Sequence, residues 1–214
     1  MSLLKKILTQ CKKPSGRLGR CLVKGMNVGH SGLTRWALGF IDIPSDTDIL
    51  DIGCGGGRAV ERLAGIAADG NVVGIDYSPD AVAVAGKKNR LLIDEGRVEI
   101  LRESVSSMHF SDDVFDLVTA FESHYFWPDF CNDLKEVYRV TKENGQLLVA
   151  GALYKNKKYE RRNQRIVNAL GMTYLSIEEF REALEGVGYS QFDAIEKKNK
   201  GWFAVKCKKQ GIAE

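Results

Sequence analysis

The chain predicts a doubly wound α/β fold, a mostly parallel seven-stranded open sheet with helices on both faces and an antiparallel strand near the C-terminus. Three observations carry this expectation. Between Asp48 and Ala150 short apolar runs alternate with helical patterns, as in βαβ units, whose crossovers are right-handed. The runs 48–52, 71–76 and 114–120 show little polar alternation, as expected of parallel strands covered on both faces. Past Gly188 two strand-like runs, 188–195 and 201–206, flank a short Lys/Asn/Gly turn and read as a hairpin.

Taken in order, Leu3, Leu4, Ile7, Leu8 and Cys11 fall at helical spacing with Lys5, Lys6, Lys12 and Lys13 largely opposite, a short basic amphipathic helix. It reads as a helix docked with its lysines in water, as a lid, or as a contact with an anionic surface. Pro14-Ser15-Gly16 ends it, and a glycine-punctuated loop, 25–32, carries Asn27 and His30. A helix over 33–40 leads to Pro44. Strand 48–52 and helix 58–68 follow, then strand 71–76. Ser78-Pro79-Asp80 is a cap-plus-proline start for a helix from Ala81 to about Ile93. Strands 98–101 and 114–120, helix 130–140 and strand 146–150 complete the alternation. The segment 154–170 reads as a basic helical insert, and Ser176 with Glu179 as a capping box opening another helix. One domain over 1–214 is expected: a helical N-terminal segment (1–45), a core (46–151), and a cap insert with terminal helix and hairpin (152–214).

Of 214 residues, 28% are charged and 44% apolar, with a net charge of +3. That excludes a disordered chain and implies no global polyanion partner. The basic residues cluster in three places, before Asp42, at 155–165 and at 206–209. The five cysteines (11, 21, 54, 131, 207) show neither a CxxC pair nor zinc-site spacing, and free thiols in a reducing compartment are expected. No apolar run approaches the roughly 20 residues that cross a bilayer. Residues 1–8 are too short and too soon interrupted for a secretory segment. A cytoplasmic place is the expectation.

Ile49-Leu50-Asp51-Ile52-Gly53-Cys54-Gly55-Gly56-Gly57-Arg58 organises the rest. A strand that stops in glycines and turns into a helix brings bare N–H groups and a helix N-terminus to one point. The dinucleotide pattern GxGxxG fails, because Arg58 or Val60 stands where its third glycine belongs. The Gly-Lys-Ser/Thr ending of a phosphate-binding loop is also absent. Asp51 in front of the glycines suits a ligand with an ammonium group. Asp76, about 20 residues on, holds the position where a carboxylate meets ribose hydroxyls. A ribose, no pyrophosphate and a cationic amino-acid end describe S-adenosylmethionine.

With these residues in place the sequence resembles the class I S-adenosylmethionine-dependent methyltransferases, in particular the methyltransferase-11 group, over about 47–151. The resemblance rests on 50–57, on Val73-Gly74-Ile75-Asp76-Tyr77-Ser78, on 110–118 and on 136–146, in that order. It implies a Rossmann-like core and methyl transfer, with S-adenosylhomocysteine as product and no metal. It also implies that Asp51, Ile52, Gly53, Cys54 and Gly55 meet the methionyl part, Asp51 orienting its amine. Asp76 would hold the ribose, Tyr77, Ser104 and Val105 the adenine, and Phe121 and Glu122 would face the sulfonium. Ser104-Val105 departs from the acid or alanine more usual in the family.

The acceptor belongs over the C-terminal edge of the sheet. After the fourth strand Phe121-Glu122-Ser123-His124-Tyr125-Phe126-Trp127-Pro128-Asp129 places three adjacent aromatics in a loop. Tyr125 and Phe126 read as acceptor lining or as packing under the next helix. His124 reads as a general base or as a hydrogen-bonded structural group, and His30 as a base or a loop-fixing residue. Asn27 and Tyr154 are further candidates for the acceptor wall, and His109 is expected at the surface. The Asn/Asp-Pro-Pro-Tyr/Phe run of amino-methylating nucleic-acid enzymes, a second glutamate for arginine methylation, a magnesium cluster and vicinal cysteines are all missing from the expected places. A small-molecule acceptor remains, by elimination. Nucleic-acid methylation through the basic clusters, and a silent cofactor-binding protein, are the alternatives. The basic N-terminus offers a contact with a membrane surface, or only a solvated face.

Overall fold

The computed structural model describes residues 31–211 and Gly16. The N-terminal basic helix, the loop with Asn27 and His30, and most of the 1–45 segment lie outside the described residues. Helix α1 covers 31–38. Then come β1 (Ile49–Ile52), α2 (Arg58–Ile66), β2 (Val72–Ile75), α3 (Pro79–Lys88), α4 (Arg90–Asp94), β3 (Val98–Leu101) and β4 (Phe115–Phe121). A 3₁₀ turn (His124–Phe126) leads to α5 (Phe130–Val140), β5 (Thr141–Gly151), α6 (Glu160–Leu170), α7 (Ile177–Gly186), β6 (Tyr189–Lys197) and β7 (Trp202–Lys209).

The seven strands form one sheet in the order β3-β2-β1-β4-β5-β7-β6. Pairings from β3 through β5 are parallel, and β7 runs antiparallel to both of its neighbours. One strand is therefore reversed, as the hairpin pattern predicts. The apolar runs lack alternation because successive residues serve opposite cores. Leu147 and Val149 join one cluster with Leu134, Val137, Phe180 and Leu184 of α5 and α7. Leu148 and Ala150 join the other, with Leu33 and Ala37 of α1 and Val60 and Leu63 of α2. Both faces are dry, so a polar residue in these strands carries a cost unless it is paired.

Local chemistry sets the ends. Pro79 sits at the first turn of α3, and the Ser78 hydroxyl accepts from Ala81 N at 3.3 Å. Asp129 caps α5 from Asn132 N at 3.3 Å, and the predicted capping box of Ser176 and Glu179 is present. Arg139 on α5 reaches the carbonyl of Phe110 (2.7 Å), Asp112 (2.8 Å) and Glu136 (2.7 Å). It fixes the approach to β4 against the helix that precedes β5.

Three expectations shift. The long helix after Ser78 breaks at Asn89, whose buried amide donates to Gly57 O (3.0 Å) and Ala85 O (2.9 Å). Strand β5 starts at Thr141, pairs with Phe115 and resumes at Gln146 opposite Leu117. Asn144, at φ 63°, turns the chain between the two pairings. In the basic insert the helix begins only at Glu160, with a turn before it.

Candidate active site at the C-terminal edge of the sheet

Strand β1 lies between β2 and β4, where the strand order reverses, and ligands of open α/β sheets bind outside the carboxyl ends at such a point. The chain leaves β1 through Gly53 (φ 72°), Gly55 (φ 53°) and Gly57 (φ 74°) and enters α2. Two of these positions require glycine on steric grounds as well. A Cβ on Gly53 would stand 2.4 Å from Ser123 Cβ, and one on Gly57 would stand 2.4 Å from Asn89 Nδ2 and 2.9 Å from Ala85 Cα.

The turn's donors point inward. Gly53 N and Cys54 N donate to Ile75 O at 2.8 and 2.9 Å, and Gly55 N donates to Asp76 Oδ2 at 3.0 Å. The bare N–H groups expected at this turn are thus taken by β2 at 53–55. The turn cannot cradle a phosphate there, in agreement with the failed dinucleotide pattern.

Two carboxylates flank it. Asp51 is 2% exposed and accepts from Thr119 Oγ1 at 2.8 Å. Burial raises its pKa to about 7; Asp76 adds in the same direction and the Thr119 bond opposes it. Asp76 accepts from Gly55 N on one oxygen and from Ser78 N (2.9 Å) on the other. Burial raises its pKa too, against those two bonds. Beside it Tyr77 is 38% exposed, one of few large apolar side chains so placed among the described residues; burial of its hydroxyl and Asp76 push that group up to about 12. Glu103 N donates to Asp76 O at 3.2 Å, which brings the Ser104–Ser107 turn alongside. Ser104 Oγ accepts from Ser106 N at 3.2 Å, and Val105 is buried in the core.

The end of β4 closes the other side. Phe121 is buried, and Glu122 takes a left-handed φ of 57° with its N–H on Ala150 O at 2.9 Å. The Glu122 carboxylate accepts from the Tyr125 hydroxyl, and burial, with Glu122, keeps that phenol protonated. Ser123 Oγ donates to Ile52 O at 2.6 Å, clamping the glycine turn to β4.

His124 is 1% exposed. Its ring lies 4.1 Å from Tyr125, 5.3 Å from Phe180 and 5.6 Å from Phe203, centre to centre. Burial pulls its pKa down to about 3, so it is neutral and a weak base. Phe126 and Tyr125 pack with Val167 and Met172, and Trp127 stacks on Phe130 at 5.6 Å. Tyr154 is buried with its hydroxyl on Glu196 at 2.5 Å and on Asn156; burial first, then Glu196, raises it to about 12. His109 is at the surface, paired with Glu103.

The structure thus gathers Asp51 through Gly55, Asp76, Tyr77, Ser104, Phe121 and Glu122 at one edge, and takes Tyr154 into a hydrogen-bonded core. Thr119, Ser123 and Asn89 were not foreseen as part of this edge. Only Thr119 left a trace in the sequence: it is a polar residue in an apolar strand, and it stands opposite Asp51 in register.

Residues 50–149 match the model of a family described as a methyltransferase domain. Over that stretch, a little under half of its length, the chain is similar to a methyltransferase domain. Demethylmenaquinone methyltransferase of Bacillus cereus is 30% identical over 120 residues, 56% of this chain and 50% of that protein. The Bacillus mycoides protein of the same name is 29% identical over the same length. The chain therefore spans about half the length of the curated relatives it matches. Among solved structures, a chain of the complex between the Haloferax volcanii Trm112 methyltransferase activator and the putative methyltransferase superposes with a TM-score of 0.77. It is 22% identical, over 88% of this chain and 94% of that one. Human N-acetylserotonin methyltransferase with bound S-adenosylmethionine gives 0.72 at 16% identity, over 90% and 56%. At these identities the structures speak for the fold of the methyltransferase domain. No helix among the described residues is long and apolar enough to cross a membrane.

Proposed function

We propose that this chain binds S-adenosylmethionine over the C-terminal ends of β1 and β2 and moves its methyl group to a small molecule. One observation carries the reading. Asp51, a buried acid whose side-chain partner is the uncharged Thr119, stands behind a glycine turn whose N–H groups are already spent. Such a site rejects a phosphate, and an ammonium group would restore the ionised carboxylate. When bound, the sulfonium supplies a methyl electrophile open to in-line displacement, a reaction that needs alignment rather than a metal.

The chain's own residues supply the rest of the arrangement. Asp51 holds the amine, and the backbone of Ile52, Gly53, Cys54 and Gly55 lines the amino-acid end. Asp76 keeps lone pairs for ribose hydroxyls beyond the two backbone bonds it accepts. The exposed Tyr77 ring covers one side of the adenine, with Ser104 and Val105 near its edge. Phe121 and Glu122 face the sulfonium. His124, Tyr125 and Phe126 form the acceptor wall, and His124 acts there as a neutral packed ring, since so weak a base holds little of a departing proton near neutrality. Asn27 and His30 keep a place in the lid on the strength of the sequence alone.

The small-molecule acceptor is supported by the names of the Bacillus relatives. The reading includes one domain over 1–214, supported by a single sheet running from 49 to 209. It also includes a cytoplasmic place, supported by the free thiols of Cys54, Cys131 and Cys207, and a membrane-surface contact for the basic N-terminus, supported by its charge. Calorimetric titration with S-adenosylmethionine tests the donor half. The wild type is expected to bind, and Asp76→Ala to bind roughly tenfold or more weakly, the loss of charge-assisted bonds. A wild type that does not bind, or a variant that binds equally well, contradicts it.

A further inference from the structure

Two basic stretches distant in sequence meet on the surface beyond β5. Tyr159, at the start of α6, donates its hydroxyl to the carbonyls of Lys198 (3.3 Å) and Asn199 (3.2 Å). Its ring lies against Gly201, where a Cβ would come within 2.7 Å of it. The β6–β7 turn, with Lys197, Lys198 and Lys200, is thereby held beside the segment carrying Lys157, Lys158, Arg161, Arg162 and Arg165.

An open depression of about 480 Å³ lies here, lined by Lys158, Tyr159, Arg161, Arg162, Arg165 and Ile166. Its lining includes four cations and no acid. Among the described residues none of the four cations is in an ion pair, so they repel one another around it. Glu160, the one acid between 155 and 170, does not line it.

Arg162 is held in place without being neutralised. Its Nε and one Nη donate to Asn163 Oδ1 at 3.0 and 2.8 Å, and its guanidinium carbon sits 4.7 Å from the centre of the Tyr159 ring. Asn163 is itself buried and anchored on Tyr154 O at 3.3 Å. Both partners are uncharged, so the guanidinium is oriented while its charge and outer donors stay available. Lys158 lies over the same ring at 5.3 Å.

The depression also borders the active-site edge. Val167 on the inner side of α6 packs with Tyr125 and Met172, and Ile166 and Phe126 flank that cluster. Ile166 thus lines the basic depression and packs against the cluster that includes Tyr125 of the turn after β4.

We propose that this depression is the subsite for the anionic end of the methyl acceptor, and that this end is a phosphate-type dianion. The assignment rests on the methyltransferase reading above and names its substrate class. Arginine forks match phosphate oxygens two at a time, and a phosphate monoester brings about two negative charges to a site with four positive ones. The volume falls in the range of small-ligand sites, roughly 300–1,000 Å³. A polymer would instead need an extended track.

Inorganic pyrophosphate titrated calorimetrically into the full chain at low salt is the direct test. The wild type is expected to bind it, and the doubly substituted Arg162→Gln/Arg165→Gln protein to bind it roughly tenfold or more weakly. S-adenosylhomocysteine is expected to bind both alike. Equal pyrophosphate binding by the two proteins overturns the subsite. If the wild type fails to bind S-adenosylhomocysteine, the donor reading falls and the acceptor assignment with it, even where pyrophosphate binds. A second arm follows S-adenosylhomocysteine formation with a metabolite extract before and after phosphatase treatment. Treatment is expected to abolish it, and undiminished formation overturns the proposal. A third arm uses vesicles of phosphatidylglycerol and phosphatidylcholine. Vesicle binding that the double substitution abolishes, without pyrophosphate binding, assigns the surface to a membrane and overturns the subsite.

Discussion

The donor edge and the acceptor edge of this sheet are built by different means. At β1 and β2 the site is made chiefly of backbone, three left-handed glycines and a set of N–H bonds crossing from one strand end to the next, with the Asp51 and Asp76 carboxylates beside it. Beyond β4 and β5 it is made of side chains, aromatics stacked on a helix that arrives much later in the sequence. The first region tolerates almost no change of shape. The second is a packed wall whose chemistry changes with its residues while the fold stays the same. One scaffold can thereby keep a donor and vary an acceptor.

Substitutions separate the two regions. Gly57→Ala should have the largest effect, because it combines a left-handed φ with a Cβ at 2.4 Å from Asn89 Nδ2 and 2.9 Å from the α3 backbone. Strain and overpacking together should cost about 2–5 kcal/mol, read as a lower denaturant midpoint and lost cofactor binding. A stable, binding-competent variant would show that the turn is less tightly held than described.

Thr119→Val removes the hydrogen bond that the buried Asp51 carboxylate accepts from Thr119 and should cost about 1–3 kcal/mol above the Asp51 pKa. Asp51→Asn should act in the opposite sense. The folded pKa of Asp51, about 7, lies above its unfolded value of 3.8. Its contribution to stability is therefore fully present below about 3.8 and lost as pH rises through about 7. The variant should accordingly gain thermal stability over the wild type at pH 8 and gain little at pH 4. Melting curves at the two values check both substitutions, and a pH-independent difference would argue against the raised pKa.

Tyr77→Ala, at an exposed ring, should leave stability within about 0.5 kcal/mol and weaken cofactor binding by about 1–3 kcal/mol, the worth of a stacked base. On the acceptor side His124→Phe should be the mildest. It keeps the packing against Phe180 and Phe203 and removes a buried Nδ1 that has no partner among the described residues. A change under about 1.5 kcal/mol is expected in chemical denaturation, with cofactor affinity intact. A large loss of affinity would move His124 from the acceptor wall to the donor site.

The same contrast governs what could be read from the chain. The glycine turn, Asp76, the Ser78-Pro79 cap and the Ser176 capping box are local, and each was legible because residues within a few positions determine it. The strands were legible because burial on both faces leaves uninterrupted apolar runs. Asn89 was not, since the carbonyl that breaks its helix belongs to Gly57, 32 positions away. The early start of β5 depends on pairing across to Phe115, and Ser123 acquires its role only when β4 lies beside β1. Tyr154 reads from the sequence as a candidate for the acceptor wall, and its hydroxyl bond to Glu196, brought back by β6, was not legible there. The meeting of the 155–165 segment with the 197–201 turn is likewise a product of the fold.

The central claim, that Asp51 waits as a partly protonated acid for a cationic ligand, predicts a proton count. S-adenosylhomocysteine titrated at pH 6 in buffers of different ionisation enthalpy measures it. Binding should release close to one proton per ligand from the wild type, since Asp51 with a pKa of about 7 must ionise to meet the amine. The release should fall toward zero at pH 8 and be absent in Asp51→Asn. Binding with no proton release at pH 6, or the same release from the variant, would contradict the account.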